Sequence, residues 1–357
     1  MKAALFYGPG QVRVEHIPEP QPKEGQVKVK EWNDLHAYLV NVPKYATNVP
    51  DPLTGESLPV TLGHEFSGTI IGHGSGVDQN KWKLGQNVVI EPVISCLKTS
   101  CGPCVEGTTN LCPISTFIGI GGWGGGLAEY IAVDTRNLHI LPDGISLEIG
   151  AMIEPLAVAW YAVKRSGFKA GQSALITGGG PIGLLVLKVL RSRDPSAVVI
   201  LSEPASGRRN LALKHGATSA VDPTAKRSPS SDILHDTVAE LTNGRGVDVA
   251  FDAAGIQASI DACLLNLRPR GTLVNVAIWE NNPTININLI TGREIVMTSI
   301  SAYTGIHPEL LEAVAAGEIK DLEDLITKKI HIDDVVEEGI KALLNEKDKQ
   351  VKILVHP

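Results

Sequence analysis

Up to about residue 150, apolar and polar residues alternate in short runs: KAALFY, QVRVEHI, QVKVKEW, SGTIIGHG, QNVVIEPV and AEYIAV. Each run is soon broken by Gly, Pro, Asn or Asp, which predicts an irregular β-rich domain with long loops. From 151 to about 300 the pattern changes to continuous apolar runs: SALIT (173–177), AVVILS (197–202), SAVD (219–222), VDVAFDAAG (247–255), GTLVNVA (271–277) and EIVMTSI (294–300). Longer segments of helical character, such as PIGLLVLKVLRSR, separate them. Strands alternating with helices in this way predict a doubly wound parallel sheet, so the fold class is α/β. Beyond 300, HPELLEAVAAGEI and DDVVEEGIKALLNE carry the apolar period of amphipathic helices, and VKILV closes the chain as a strand.

A length of 357 residues favours two domains over one. Net charge is -7 and no basic run exceeds a few residues, so the long-range field repels nucleic acid and anionic membrane. The N-terminus reaches Gly8 and Pro9 too early for the apolar core of a signal peptide. No uncharged apolar run approaches the roughly 20 residues of a membrane span. A cytoplasmic protein with a small-molecule partner is the expectation.

Four of the five cysteines, Cys96, Cys101, Cys104 and Cys112, fall in one stretch with the spacing C-x4-C-x2-C-x7-C, and Gly102, Pro103 and Gly107 supply turns between them. Four thiolates so placed can close on Zn²⁺ with no position left for water, which makes the site structural. A pair of disulfides, or four reduced core thiols, are the other readings.

The run SALIT leads into Gly178-Gly179-Gly180-Pro181-Ile182-Gly183, a G-x-G-x-x-G that opens a helix. Gly178 permits the turn, Gly180 lets backbone approach a pyrophosphate, and Gly183 lets helix pack on strand. The helix N-terminus, with Pro181 and Ile182 in its first turn, then presents N–H groups to the phosphates. Glu203 ends the next strand, where a carboxylate binds both ribose hydroxyls and repels a 2'-phosphate, which favours NAD over NADP. Arg208 and Arg209 follow closely and pull the other way, Arg208 being a further candidate cofactor contact.

Gly63-His64-Glu65 follows PVTL and precedes Phe66-Ser67-Gly68, which puts an imidazole and a carboxylate at the lip of the β domain. Alone, His64 reads as a hydrogen-bonded core histidine. In combination, GHEFSGTI, the cysteine loop, GGGLAEY (124–130), EPLAVAW (154–160) and GGGPIG resemble, in order and spacing, the zinc-containing medium-chain dehydrogenase/reductase family. Glu154, where other members carry Cys, marks the butanediol and sorbitol dehydrogenase branch. The resemblance implies a GroES-like catalytic domain over 1–150, to which 301–357 return, and a Rossmann NAD-binding domain over 151–300. It also implies a catalytic Zn²⁺ in the cleft between them, which polarises a secondary alcohol, diol or polyol so that hydride passes to NAD. On the resemblance, His64 is a zinc ligand, Glu65 and Glu154 lie at or next to the metal, Asp34 orients the zinc-bound histidine, and His36 carries the proton to solvent. Members are usually dimers or tetramers joined through edge strands of the nucleotide domain, here EIVMTSI. Trp123, Phe117 and Tyr303 are pocket candidates.

One departure stands out. Family members read approximately W-x-G-I-C-G-S-D-L-H, whereas this chain reads Glu31-Trp32-Asn33-Asp34-Leu35-His36. About five residues are absent between Asn33 and Asp34, among them the first cysteine ligand of the catalytic zinc and the hydroxyl that begins the proton relay. Cys263, in IDACLLNLRPR, reads as a buried packing thiol, and nothing marks His73 or Glu56 as a substitute ligand. Three functions follow: a working dehydrogenase with weakened metal, a folded NAD-binding protein without activity (a true pseudoenzyme or the product of a misjudged splice junction), or a zinc-independent reductase of the same superfamily. The cysteine loop argues against the last. The complete ligand sets predict one firmly bound zinc.

Overall fold

In the computed structural model, which describes residues 1–35, 49–225 and 232–357, the apolar runs of the second half form one six-stranded parallel sheet. Its order is Ser219–Val221, Val199–Ser202, Ala174–Thr177, Val247–Asp252, Leu267–Asn275, Val296–Ser299. Numbered along the chain this is 3-2-1-4-5-6, the doubly wound order in which direction reverses beside the first strand. Ala174–Thr177 and Val199–Ser202 are buried at every position. A strand covered on both faces has no polar side to alternate, which is why these segments read as unbroken apolar runs. Leu175, Ile200, Val238, Ala250, Ile260 and Leu264 share one core. Cys263 belongs to it, fully buried, with its thiol 3.4 Å from Thr177 Oγ1 and its pKa pushed up by burial. This unit comprises Pro155–Tyr303 and Glu318–Lys320.

The other unit comprises Met1–Glu154, Thr304–Gly317 and Asp321–Pro357. Its larger sheet is built around Gln26–Leu35, which pairs antiparallel with Glu65–His73, Tyr130–Asp134 and Lys352–His356. Asn87–Ile90 and Leu138–Ile140 extend one side and Ile326–His331 the other. Val27, Val29, Phe66, Ile70, Ile131 and Val133 form its core. Among the described residues no helix is long and apolar enough to cross a membrane.

HPELLEAVAAGEI contains the helix His307–Ala315. DDVVEEGIKALLNE departs from expectation: Ile332–Asp334 is a 3-10 turn, Val335–Ile340 a π-helix, and only Lys341–Asn345 is α-helical. Two adjacent valines and Gly339 are poor α-helix formers, and in the wider turn Val335, Gly339 and Ile340 are all buried.

Candidate metal and nucleotide sites

Within the cysteine loop, Cys101 caps the short helix Gly102–Val105 and Cys112 ends the turn Thr109–Leu111, which folds the four sulfurs toward one another. All four lie within 4.8 Å of each other, Cys96 to Cys104 at 3.8 Å and Cys101 to Cys112 at 4.0 Å. Sulfurs at about 2.3 Å from a tetrahedral Zn²⁺ stand about 3.8 Å apart. A disulfide would need about 2.0 Å, so the spacing fits the metal and neither bridge. Burial opposes ionisation of Cys112, but the amides of Cys96 and Ile114 and the neighbouring thiols outweigh it and bring the pKa to about 7. At Cys101 the Cys104 amide lowers the pKa, while burial and the surrounding thiols raise it to about 12.

His64 and Glu65 sit where Val60–Thr61 passes into the long strand Glu65–His73. Gly63 makes that passage at φ +102°, and a Cβ there would meet Leu127 N at 2.6 Å. The approach is close because Gly126 N donates to Gly63 O and Leu127 N to Leu62 O, both at 2.8 Å. GHEFSG and GGGLAEY are therefore two sides of one backbone clamp. Glu154 enters from the first turn of Ile153–Ser166. His64, Glu65 and Glu154 are all buried, and each offers a ligand atom within 4.8 Å of the other two. The Phe117 ring stands edge-on to His64 with centroids 6.2 Å apart.

A residue that sequence reasoning missed completes this cluster. Lys352, on the closing strand, donates from Nζ to Glu65 Oε2 at 2.5 Å, the two side chains being 2% and 3% exposed. A lone lysine within the apolar run VKILV carried the signal, since an ammonium in a buried strand needs a counter-charge. Formally the cluster holds two carboxylates, one ammonium and one imidazole. Its donor set suits a cation bound by three protein ligands with a fourth position open.

His73 Nε2 lies 2.7 Å from Trp82 O, and Glu56 accepts from the Trp123 N–H at 3.0 Å, so both are engaged elsewhere. Trp123 packs against the β core under the Arg136 guanidinium, and Tyr303 is fully buried.

Gln26–Leu35 runs unbroken through Asn33 and Asp34. Asp34 lies opposite Glu65 on one neighbour and Leu354 on the other. The Asp34 side chain and the whole of His36 fall outside the described residues. Glu31 occupies the next inward position after Val27 and Val29 and is fully buried. Neither of its carboxylate oxygens has a hydrogen bond of full geometry. Burial raises its pKa well above 4.5, only partly offset by the Ala128 backbone. A carboxyl with a raised pKa binds its proton more tightly folded than unfolded, so its contribution is complete below 4.5 and is lost as pH rises toward the folded value. Glu31→Val should therefore stabilise the protein at neutral pH by about 1–3 kcal/mol. The gain should shrink toward pH 4.5; urea unfolding at several pH values checks both the sign and the trend.

In the nucleotide unit, Gly180 caps the helix Pro181–Arg193, with Pro181 opening it and Ile182 in its first turn. A Cβ on Gly183 would fall 1.9 Å from Gly178 O, so only glycine lets this helix pack against its strand. Glu203 binds the turn directly: Gly179 N donates to its Oε2 at 2.7 Å and Ala205 N to its Oε1 at 2.8 Å. Arg209 is drawn away to the carbonyls of Glu203 and Pro204 and to Asp222. The Arg208 guanidinium stays alongside Gly180, 3.8 Å from where a Cβ would be.

Comparison with known proteins follows the same division. Residues 34–143 match the alcohol dehydrogenase GroES-like domain and residues 181–316 the zinc-binding dehydrogenase domain. The (R,R)-butanediol dehydrogenase of Bacillus subtilis is 40% identical over 363 residues, covering 100% of both chains. That match is longer than this chain, so the alignment opens gaps in it. The (R,R)-butanediol dehydrogenase of Neisseria gonorrhoeae is 39% identical over 100% of this chain and 99% of its own. The crystal structure of 2R,3R-butanediol dehydrogenase from Bacillus subtilis superposes with a TM-score of 0.89 at 38% identity, covering 100% of this chain and 99% of that one.

Proposed function

Since the chain belongs to the zinc-binding alcohol dehydrogenase family, with its GroES-like and zinc-binding dehydrogenase halves, we propose that it oxidises a vicinal secondary diol of the (R,R)-butanediol kind to the hydroxyketone, with NAD as acceptor. The observation that carries this is the convergence of His64, Glu65 and Glu154 in a chain matched from end to end by butanediol dehydrogenases. Zinc held there would supply polarisation of the alcohol oxygen, and NAD would supply the hydride acceptor.

The chain's own residues do the rest. His64 and Glu154 would hold the metal, and Glu65 would add a carboxylate oxygen. Phe117 stands edge-on to the His64 ring and adds an apolar wall beside it. Asp34, across the ladder from Glu65, is the proposed orienting carboxylate, and His36 the proposed proton carrier. Gly178, Gly180 and Gly183, with the helix N-terminus at Pro181 and Ile182, would seat the pyrophosphate, with Arg208 beside it. Glu203 would take the ribose hydroxyls. Arg209 is committed to Asp222 and backbone carbonyls, which leaves the carboxylate's preference for NAD unopposed on that side. Association of two copies through the exposed Val296–Ser299 strand, in a homodimer or homotetramer, and a cytoplasmic address complete the proposal.

The test is NADH formation by the full chain with (R,R)-2,3-butanediol. Turnover is expected with NAD in preference to NADP by about tenfold or more, and His64→Ala should abolish it. Absence of NAD reduction with diols and polyols, in this chain and in a variant carrying the missing residues, would overturn the reading.

A further inference from the structure

A second group of metal-ligating side chains, partly buried, lies in the first unit apart from the cysteine loop and the His64 cluster. Glu91 follows the strand Asn87–Ile90, and its backbone is fixed on both sides: Glu91 N donates to Asn137 O at 2.8 Å, and Asn137 Nδ2 donates to Glu91 O at 2.7 Å. His139 stands on Leu138–Ile140, paired with Val89. His307 opens the helix His307–Ala315, three residues after the chain returns to this unit. Glu91 Oε2 is 2.9 Å from His139 Nε2 and 3.4 Å from His307 Nδ1, and one ligand atom from each of the three lies within 4.8 Å of the others.

We propose that Glu91, His139 and His307 bind one divalent transition-metal ion of the zinc class, sharing no ligand with the cysteine quartet or the His64 cluster. Two observations carry this. The donor set, two imidazoles and a carboxylate, is one that zinc takes with a fourth position open to water. Ligands at about 2.0–2.1 Å from a tetrahedral ion stand about 3.3 Å apart, which Glu91 and His307 match at 3.4 Å, whereas the 2.9 Å between Glu91 and His139 is a hydrogen bond that the ion would replace by moving His139 outward.

Exposure shows how the ion would enter. The His307 side chain is sealed at 0% exposure, whereas those of His139 and Glu91 keep 22% and 19%. The two rings are stacked within 4° of parallel, centroids 4.5 Å apart. An ion in the plane of both rings requires one to tilt, and His139 is the more exposed of the two. The same open side admits water as the fourth ligand.

The experiment loads the full chain with excess Zn²⁺, removes unbound metal by gel filtration, and counts zinc per chain in the wild type and in His139→Gln/His307→Gln. The double variant is expected to bind one equivalent fewer. With Co²⁺ in place of Zn²⁺, it should lose visible d–d absorption while the thiolate-to-cobalt charge-transfer band of the cysteine quartet stays unchanged. Because His307 is buried, the single variant His139→Gln is measured in parallel; it keeps the inner contact and should bind the same equivalent at least about tenfold more weakly. Equal zinc counts and equal cobalt spectra in folded wild type and variants would overturn the assignment and leave the three residues as a hydrogen-bonded staple.

Discussion

Inserting Gly-Ile-Cys-Gly-Ser between Asn33 and Asp34 should raise kcat/KM for (R,R)-2,3-butanediol by about 100-fold or more and add one firmly held zinc per chain. The cluster now offers His64, Glu154 and Glu65, whose Oε2 accepts from Lys352. An added thiolate would give Cys, His and Glu, three full ligands with one position open for substrate. The insertion also changes the backbone. Asp34 is at present locked in the ladder between Glu65 and Leu354, and a five-residue loop ahead of it frees it from that register. Zinc content and steady-state NADH formation, measured on the same preparation, separate the gain in metal from the gain in rate. If the unmodified chain already turns over as fast as the insertion variant, the missing residues have no catalytic consequence and the account of the departure is wrong.

What could be read from the sequence followed the range of the forces involved. The parallel sheet was legible because a strand buried on both faces leaves a local trace, an unbroken apolar run such as ALIT. The glycine loop was legible because steric demand falls on single residues: no side chain fits at Gly183. The cysteine quartet was legible because its ligands are close in sequence, although only the 3.8 Å and 4.0 Å spacings decide between metal and disulfide. What stayed hidden was pairing across the chain. Lys352 meets Glu65 across 287 residues, and His307 reaches Glu91 only because the returning segment packs back onto the first unit. The second C-terminal helix misled for another reason: its apolar period was real, but two adjacent valines and a glycine let it wind as a π-helix. Glu31 was an anomaly in plain view, a charge in the inward register of Val27 and Val29, beside the point where the family's residues are missing.

The pairing of Lys352 with Glu65 gives the largest stability effect expected in the molecule. Lys352→Met preserves most of the side chain's length and its packing but removes the ammonium, which leaves Glu65 buried beside Glu154 without its counter-charge. Breaking a buried pair on one side costs about 3–5 kcal/mol, although the intact pair contributes little net stability once its own desolvation is counted. That asymmetry predicts the shape of a double-mutant cycle. Lys352→Met alone should lower stability by about 3–5 kcal/mol in urea unfolding without added zinc, and Lys352→Met/Glu65→Gln should recover most of it. Zinc refines the prediction. If Glu65 faces a bound cation, the metal supplies the positive charge that the substituted methionine lacks, and saturating Zn²⁺ should shrink the cost of the single variant more than it stabilises the wild type. A single variant that costs less than about 1 kcal/mol, or a double variant no more stable than the single, would mean that the lysine does not balance this carboxylate. A cost unchanged by zinc would place Glu65 behind the metal as a charge partner of Lys352 alone, leaving His64 and Glu154 to hold the ion.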